Sequence, residues 1–237
     1  MRIGLFDSGL GGLTVLKEFK KKYPNNEYIY FGDNKNLPYG SKNKNELFKL
    51  ASKSIEFLLS KNVDLVIIAC GTVSSNVYNE LKDKYNIPIY DIITPVINYI
   101  NDSDFKNVGL MATQATISSN KFKKGINKQF YGQACPLLVP YIEGDKSINI
   151  NSRLNEYLSN IKNYDAIILG CTHYPLLENE IKKITDSKLI NMGTILCDSL
   201  DIIDSIESVT LYFSKYDNNL IEKVNNIIDF EYKIEGV

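Results

Sequence analysis

Short apolar runs alternate along this chain with longer segments in which apolar residues recur every three or four positions. The short runs are rich in β-branched residues and end at Gly, Asp or other small residues, which is typical of buried strands. We predict strands over residues 2–6, 28–31, 65–69, 89–91, 108–111, 137–140, 166–169 and 188–190.

The longer segments predict helices that bury one face. Apolar side chains occur at helical spacing between residues 43 and 62, and similar faces follow Leu13, Val73, Leu154 and Leu177. A further helix is predicted over residues 220–228. Because strands and helices alternate, the expected fold class is α/β with mainly parallel sheets.

Two parts of the chain resemble each other. Residues 64–70, Asp-Leu-Val-Ile-Ile-Ala-Cys, match residues 165–171, Asp-Ala-Ile-Ile-Leu-Gly-Cys, in the character of every position. Residues 3–8 and 108–113 form a second matching pair, each an apolar strand with glycine in its second position. Such a repeat predicts two related units. We therefore expect two pseudo-symmetric α/β lobes with an active site in the cleft between them.

The lobe boundary is expected just before the second copy of the repeat. Residues 1–97 are predicted to form the first lobe and residues 98–206 the second, and residues 207–237 are expected to return to the first lobe. A chain of 237 residues is long enough to build two compact lobes around a cleft.

Composition and charge exclude several classes of protein. Hydrophobic residues make up 44% of the chain and charged residues 23%, which excludes a mainly disordered protein. The formal net charge is −1, so no nucleic-acid partner is expected. No apolar run approaches the ~18 residues of a membrane span, and the N-terminus does not resemble a signal peptide. We expect a cytoplasmic protein without a membrane partner.

The cysteines carry the candidate chemistry. Cys70 and Cys171 end the two repeated strands, and ligands bind beyond the carboxyl ends of strands in open parallel sheets. One thiol from each lobe is therefore expected to face the cleft. Each is followed by a polar loop that opens a predicted helix, where backbone N–H groups favour a thiolate or hold a carboxylate. The wide spacing of the four cysteines and the single histidine predict reduced thiols and no metal site.

Other interpretations of these residues stay open. A cysteine that ends an apolar strand is often only packed in the core, and we expect this for Cys135 and Cys197, which have no counterpart in the repeat. His173, two residues after Cys171, is a candidate for proton transfer. Asp7 either faces the cleft or caps the next helix. The glycines that follow it match neither the dinucleotide-binding motif nor the P-loop.

Together these segments resemble the cofactor-independent glutamate racemases, within the aspartate/glutamate racemase superfamily. The resemblance rests on five segments that follow in family order over roughly residues 1–195. They are Phe-Asp-Ser-Gly-Leu-Gly-Gly-Leu-Thr at 6–14, Tyr-Phe-Gly-Asp at 30–33 with Pro-Tyr-Gly at 38–40, Ala-Cys-Gly-Thr at 69–72, Ala-Cys-Pro-Leu-Leu-Val-Pro at 134–140 with Glu143, and Gly-Cys-Thr-His-Tyr-Pro-Leu-Leu at 170–177.

The resemblance implies an isomerase that supplies D-glutamate for cell-wall peptidoglycan, without pyridoxal phosphate, metal or any other cofactor. It implies that Cys70 deprotonates the D-enantiomer with help from Asp7, and Cys171 the L-enantiomer with help from His173. The small-molecule partner is an amino acid, and a homodimer is expected. The residues that match substrate-binding positions are Ser8, Pro38, Tyr39, Gly40, Gly71, Thr72, Thr113, Thr116, Glu143 and Thr172.

The chain departs from the family pattern beside the first cysteine. Gly71 stands where the family usually has asparagine, which removes an amide side chain and predicts a larger pocket. This leaves a racemase for aspartate or for several amino acids as an alternative. A non-catalytic amino-acid-binding protein on the same fold is a second alternative. A third is a thiol hydrolase or transferase that uses Cys171 beside His173.

Overall fold

The computed structural model describes residues 1–216 and 218–236, and within them the chain forms two parallel sheets. The ten strands are β1 (Arg2–Asp7), β2 (Glu27–Gly32), β3 (Leu65–Ile68), β4 (Ile89–Asp91), β5 (Asn107–Ala112), β6 (Gln129–Ala134), β7 (Ala166–Leu169), β8 (Lys188–Asn191), β9 (Ser208–Phe213) and β10 (Lys233–Glu235). One sheet has the order β10-β9-β2-β1-β3-β4 and the other the order β6-β5-β7-β8. Every strand pairing is parallel.

Twelve α-helices in the described residues connect and cover these strands. They are α1 (Gly12–Lys22), α2 (Lys44–Ser60), α3 (Gly71–Asn76), α4 (Tyr78–Lys84), α5 (Thr94–Asp102), α6 (Gln114–Ser119), α7 (Lys121–Gly125), α8 (Leu138–Glu143), α9 (Ile150–Leu158), α10 (Glu178–Lys182), α11 (Met192–Asp198) and α12 (Leu220–Asn225). Short 3-10 turns span Asn34–Asn36, Tyr39–Ser41 and Tyr174–Leu177.

The sequence repeat corresponds to a structural repeat. The order β2-β1-β3-β4 in one sheet is the order β6-β5-β7-β8 in the other. The aspartates that open the two copies also make equivalent bonds: Oδ2 of Asp64 accepts the N–H of Arg2, the first residue of β1, at 2.7 Å, and Oδ2 of Asp165 accepts the N–H of Asn107, the first residue of β5, at 2.9 Å. Each aspartate thereby ties the start of a repeated strand to the central strand of its sheet.

The sheets are buried on both faces, as parallel sheets require. The largest hydrophobic cluster joins the sheets and includes Leu5 of β1 and Leu110 of β5, and α1 packs against α11 in the same region. A second cluster lies between the first sheet and α2, and a third lies between the second sheet and α9. The predicted α/β class with two mainly parallel sheets is confirmed.

Residues 137–140 were expected to form a strand, and this prediction is wrong: α8 begins there. Proline lacks an N–H for a strand ladder but is tolerated in the first turn of a helix, where Pro140 lies. The strand of this region is β6, which is half-exposed and contains Gln129, Gly132 and Gln133 in place of an apolar run.

The C-terminal part contributes two strands that the prediction lacked. β9 and β10 extend the first sheet beyond β2. The predicted helix over 220–228 forms as the shorter α12, Leu220–Asn225, and after it Asp229 forms an ion pair with Lys17 of α1. None of the helices in the described part of the chain combines the length and the apolar character that a membrane crossing requires.

Candidate active site

Loops at the carboxyl ends of β1, β2, β3, β5, β6 and β7 enclose a cavity of about 250 Å³. The residues that line it are Ser8, Leu37, Pro38, Tyr39, Gly40, Ser41, Cys70, Gly71, Thr72, Thr113, Gln114, Cys135, Pro136, Val139, Pro140, Gly170, Cys171, Thr172 and His173. Both repeats contribute, and both repeated cysteines are present. The cavity therefore lies between the two halves of the fold.

Cys70 lies directly after β3 and precedes α3. Its thiol is buried, and Sγ lies 3.7 Å from the hydroxyl of Ser8. Burial, and after it the negative charge of Asp7, raises the pKa of Cys70 well above the ordinary value of a thiol. Both effects favour the protonated thiol.

Cys171 lies at the matching place after β7 and has a different neighbour. Its Sγ is 3.7 Å from Nδ1 of His173, and Nε2 of His173 is 2.7 Å from Oε1 of Glu143. Burial lowers the pKa of His173, but the hydrogen bonds with Cys171 and Glu143 outweigh it and raise that pKa above the ordinary value. Burial likewise opposes the ionisation of Glu143, and the hydrogen bond with His173 overcomes it and lowers its pKa. The second thiol thus faces an imidazole that is hydrogen-bonded to a carboxylate.

Asp7 is fully buried and holds the glycine-rich loop that follows β1. Its Oδ2 accepts the N–H of Gly12 at 2.9 Å and that of Gly9 at 3.3 Å, and the hydroxyl of Thr172 lies 3.5 Å from its carboxylate. Asp7 therefore both caps the start of α1 and reaches the residue after Cys171.

The same loop brings the two halves of the molecule into direct contact. A β-carbon added to Gly11 would lie 2.3 Å from Nδ1 of His173 and 2.5 Å from Oγ1 of Thr172. The hydroxyl of Thr14 donates to the backbone oxygen of Thr172 at 2.9 Å. Glycine at position 11 lets the imidazole approach, and Thr14 fastens the segment that carries Cys171.

Hydroxyl groups from both halves meet on another wall of the cavity. The hydroxyls of Thr72 and Thr113 are 3.0 Å apart, and Thr113 donates to Thr116 at 3.1 Å. Tyr39 donates to Asp33 at 2.7 Å, and burial together with that carboxylate raises the pKa of Tyr39. These hydroxyls form a neutral hydrogen-bonding network at the wall of the cavity.

Most of the residues predicted from the sequence line the cavity, and three lie behind it. Ser8, Pro38, Tyr39, Gly40, Cys70, Gly71, Thr72, Thr113, Cys171, Thr172 and His173 line it. Asp7, Thr116 and Glu143 do not, but each hydrogen-bonds to a residue that does. Their roles in binding and catalysis stay predictions.

Gly71 does not open the predicted extra space at its β-carbon position. A β-carbon there would lie 2.9 Å from the backbone oxygen of Gly170 and 3.5 Å from Cε of Met192. The space that a side chain would enter first is therefore filled by the other half of the fold.

Several lining residues were not found from the sequence. Cys135 and Pro136 follow β6. Because β6 was not predicted, the position of these two residues at the edge of the sheet was not predicted either. Cys135, expected to be a core residue, is buried but also borders the cavity. Gln114 opens α6, Ser41 ends a 3-10 turn and Val139 lies in α8, and none of the three was singled out from the sequence. Thr14 lies inside the matched segment 6–14. Its hydrogen bond with Thr172 joins residues that are far apart in the sequence, so the sequence did not reveal it.

The described lining residues include no lysine or arginine, so a bound anion would rely on backbone N–H groups and hydroxyls. No group of three or more His, Cys, Asp or Glu in the described residues is arranged to hold a metal ion. One thiol ends a central strand in each of two related halves, and both thiols face one small cavity. This arrangement is typical of the class of enzymes that bind one small molecule between two lobes.

Comparisons with known proteins agree with that class. The Asp/Glu/hydantoin racemase family matches residues 15–200. The glutamate racemase of Hydrogenobaculum sp. is 38% identical over 251 residues, covering 100% of this chain and 96% of that protein. The chain belongs to the Asp/Glu/hydantoin racemase family, and the predicted isomerase class is confirmed.

Solved structures of two relatives superpose on nearly the whole chain. Glutamate racemase from Francisella tularensis in complex with D-glutamate has a TM-score of 0.87 and 32% identity, covering 100% of this chain and 97% of that one. A glutamate racemase from Bacillus anthracis has a TM-score of 0.92 and 25% identity, covering 99% of this chain and 96% of that one. The two-sheet arrangement is thus the fold of these racemases.

Proposed function

We propose that this protein interconverts L- and D-glutamate by a two-base proton transfer between Cys70 and Cys171, without a cofactor. The observation that carries the proposal is that these two thiols, one from each copy of the repeat, border the same cavity. The names of the relatives support glutamate as the substrate, as does the D-glutamate complex of the Francisella tularensis protein.

In the proposed reaction a thiolate on one side of the α-carbon takes its proton. The electron pair stays on the α-carbon and spreads into the adjacent carboxylate, and the thiol on the other side then donates its proton. L-glutamate is deprotonated by Cys171 and reprotonated by Cys70, and D-glutamate reacts in the opposite direction. Each turnover leaves the two thiols with exchanged protonation states, which suits the next reaction in the reverse direction.

The electrostatics fit the L-to-D direction of the resting protein. The raised pKa of Cys70 favours a thiol that can donate its proton, and the raised pKa of His173 favours an imidazolium that could stabilise a thiolate on Cys171. Developing charge on the substrate needs fixed donors at a site with little water. The hydroxyls of Ser8, Thr72, Thr113 and Thr172 and the backbone N–H groups of the same loops are proposed to provide them.

Three further expectations belong to the same proposal. The product D-glutamate is proposed to serve peptidoglycan synthesis in the cytoplasm, and the working form is proposed to be a homodimer. Residues 1–97 with 207–237 and residues 98–206 are proposed as the two lobes. The membership of β9 and β10 in the first sheet supports this division.

Proton NMR in D2O tests the reaction. L-glutamate, D-glutamate and L-aspartate are incubated separately with the purified protein. In a two-base reaction, solvent deuterium enters the product enantiomer early, while the remaining substrate keeps its α-proton. We expect this pattern with both glutamate enantiomers. Cys70→Ser and Cys171→Ser should largely abolish it, and Cys197→Ser, which removes a buried thiol outside the cavity, should not.

Other outcomes would favour the alternatives. Faster exchange with aspartate than with glutamate would overturn the choice of substrate. Binding of glutamate without exchange would indicate a non-catalytic binding protein. A covalent adduct on Cys171, with exchange that does not depend on Cys70, would indicate a thiol hydrolase or transferase.

A further inference from the structure

The backbone conformation does not require glycine at position 71. Among the described glycines, positive φ occurs at Gly144 and not at Gly71. Gly71 opens α3, where an ordinary residue is accommodated without strain. The reason for glycine at this position must therefore lie in its contacts.

The contact of Gly71 is with the backbone of the other half of the fold. The nearest atom to an added β-carbon would be the carbonyl oxygen of Gly170, at 2.9 Å. Gly71 follows Cys70 in the sequence, and Gly170 precedes Cys171. The two residues next to the thiols thus approach each other without side chains between them.

Gly170 has little freedom to move away. Its N–H donates to the backbone oxygen of Met111 at 2.7 Å. A β-carbon on Gly170 would lie 2.5 Å from Leu110 and 3.1 Å from Ala112, so its own strand neighbours surround it closely. A side chain at 71 would therefore displace backbone, not the end of a flexible side chain.

We propose that Gly71 is a positioning residue whose bare backbone rests against the carbonyl oxygen of Gly170 and so sets the separation of the Cys70 and Cys171 thiols. The catalytic consequence rests on the proposed two-thiol racemisation. Gly71 does not enlarge the substrate pocket in this chain, and it sets the rate of proton transfer without selecting the substrate.

The geometry gives the size of the expected effect. Ordinary van der Waals contact begins at 3.4 Å, whereas a β-carbon at 71 would lie 2.9 Å from the Gly170 oxygen. The two backbone segments would therefore have to move apart by about 0.5 Å. A misplacement of about 1 Å can reduce a rate about 100-fold, so about 0.5 Å predicts roughly a tenfold loss. We expect the substitution to lower kcat and to leave KM nearly unchanged, because the two thiols exchange protons with the α-carbon from opposite sides.

The test compares Gly71→Ala with Gly132→Ala, whose new methyl group would meet the tip of the Ile117 side chain at 3.0 Å and Phe130 at an ordinary contact distance of 3.6 Å, with no backbone atom among its nearest neighbours. For Gly71→Ala we expect a roughly tenfold lower kcat, a KM within about twofold of the wild type, and an unchanged ratio of glutamate to aspartate activity. Gly132→Ala should retain the wild-type kcat. A changed substrate ratio with unchanged kcat would overturn the proposal.

Gly71→Asn introduces the amide that the family pattern predicts at this position. If position 71 sets the thiol spacing, this variant is no more active than Gly71→Ala. Higher activity than the wild type would make position 71 a substrate-binding position and would overturn the proposal.

The wild-type protein provides a test that does not depend on the folding of a variant. L-2-aminoadipate is one methylene longer than glutamate. A pocket enlarged at Gly71 would accept it with similar efficiency, whereas the spacing role predicts at least about a tenfold lower kcat/KM. Similar values for the two amino acids would overturn the proposal.

Crystal structures of the wild type and Gly71→Ala separate this proposal from the proposed function. We expect the distance between residue 71 and the Gly170 oxygen, and with it the thiol separation, to increase by about 0.5 Å in the variant. An unchanged thiol separation would contradict the spacing role. If the wild type racemises no amino acid, the proposed function fails, while the two structures still decide the role of Gly71.

Discussion

Replacement of Glu143 by glutamine tests the charge arrangement behind Cys171. Glu143 pairs with His173 through a 2.7 Å contact, and only 20% of the Glu143 side chain is exposed. This distance is typical of a charge-assisted hydrogen bond, and bonds of this kind contribute about 1.5–3 kcal/mol. Because glutamine keeps an acceptor but loses the charge, we expect Glu143→Gln to lower the free energy of unfolding by about 2 kcal/mol.

The decrease in the free energy of unfolding caused by Glu143→Gln should depend on pH in a defined direction. The raised pKa of His173 contributes stability that is complete below its unfolded value of about 6.5 and is lost as pH rises through the folded value. The lowered pKa of Glu143 contributes stability that is complete above its unfolded value near 4.5 and is lost as pH falls through the folded value. The difference between wild type and variant should therefore be greatest between about pH 4.5 and 6.5.

Urea unfolding between pH 5.5 and 8.0 measures this difference. His173 is the only histidine of the chain, so no other side chain with an ordinary pKa titrates between pH 6 and 8. In the wild type, the free energy of unfolding should fall by up to about 1.4 kcal/mol per pH unit above pH 6.5, and less steeply in Glu143→Gln.

Glu156→Gln is the matched control, because Glu156 pairs with Arg153 on the exposed surface at the same 2.7 Å. Its effect should stay within about 0.5 kcal/mol at every pH. Parallel pH profiles for wild type and Glu143→Gln would refute the charge pairing of His173.

Three further perturbations probe the contacts around the thiols. Gly11→Ala places a methyl group 2.3 Å from Nδ1 of His173, so kcat for racemisation should fall about 100-fold, whereas Gly236→Ala, which enters open space, should keep wild-type kcat. Full activity of Gly11→Ala would contradict the close approach of loop and imidazole. Thr14→Val removes the hydroxyl that donates to Thr172 and should lower the free energy of unfolding by about 1 kcal/mol in urea, whereas Thr14→Ser should retain it. Equal stability of both Thr14 variants would count against the bond. Asp7→Asn removes a charge that raises the pKa of Cys70, so mass spectrometry at pH 7.5 should detect faster alkylation of Cys70 relative to Cys197. An unchanged ratio would mean that Asp7 does not act on this thiol.

The repeated strands were predictable because each combines a buried apolar run with a clear end. Cys70 and Cys171 follow such runs, and their place at the edges of two parallel sheets follows from the general rule for ligand sites. The repeat also predicted that the two thiols are equivalent in position. This part of the site needed only local pattern and topology.

The contact of Glu143 with His173 was not predictable from local pattern, although His173 itself was expected beside Cys171. Glu143 belongs to α8, in a segment whose apolar run predicted a strand, so its approach to His173 required the tertiary structure. Gly71 was interpreted as added space, because a sequence does not specify which backbone a missing side chain faces. β6 was missed because an edge strand needs no continuous apolar run.

A symmetric scaffold and an asymmetric site are compatible because the repeat determines position and the surrounding loops determine charge. Cys70 lies near the carboxylate of Asp7, which raises the pKa of this thiol, and Sγ of Cys171 lies 3.7 Å from Nδ1 of His173. The loops therefore give two thiols at equivalent positions different chemical neighbours. The proposed mechanism uses this difference, and the proposed contact between Gly71 and Gly170 sets the separation of the thiols.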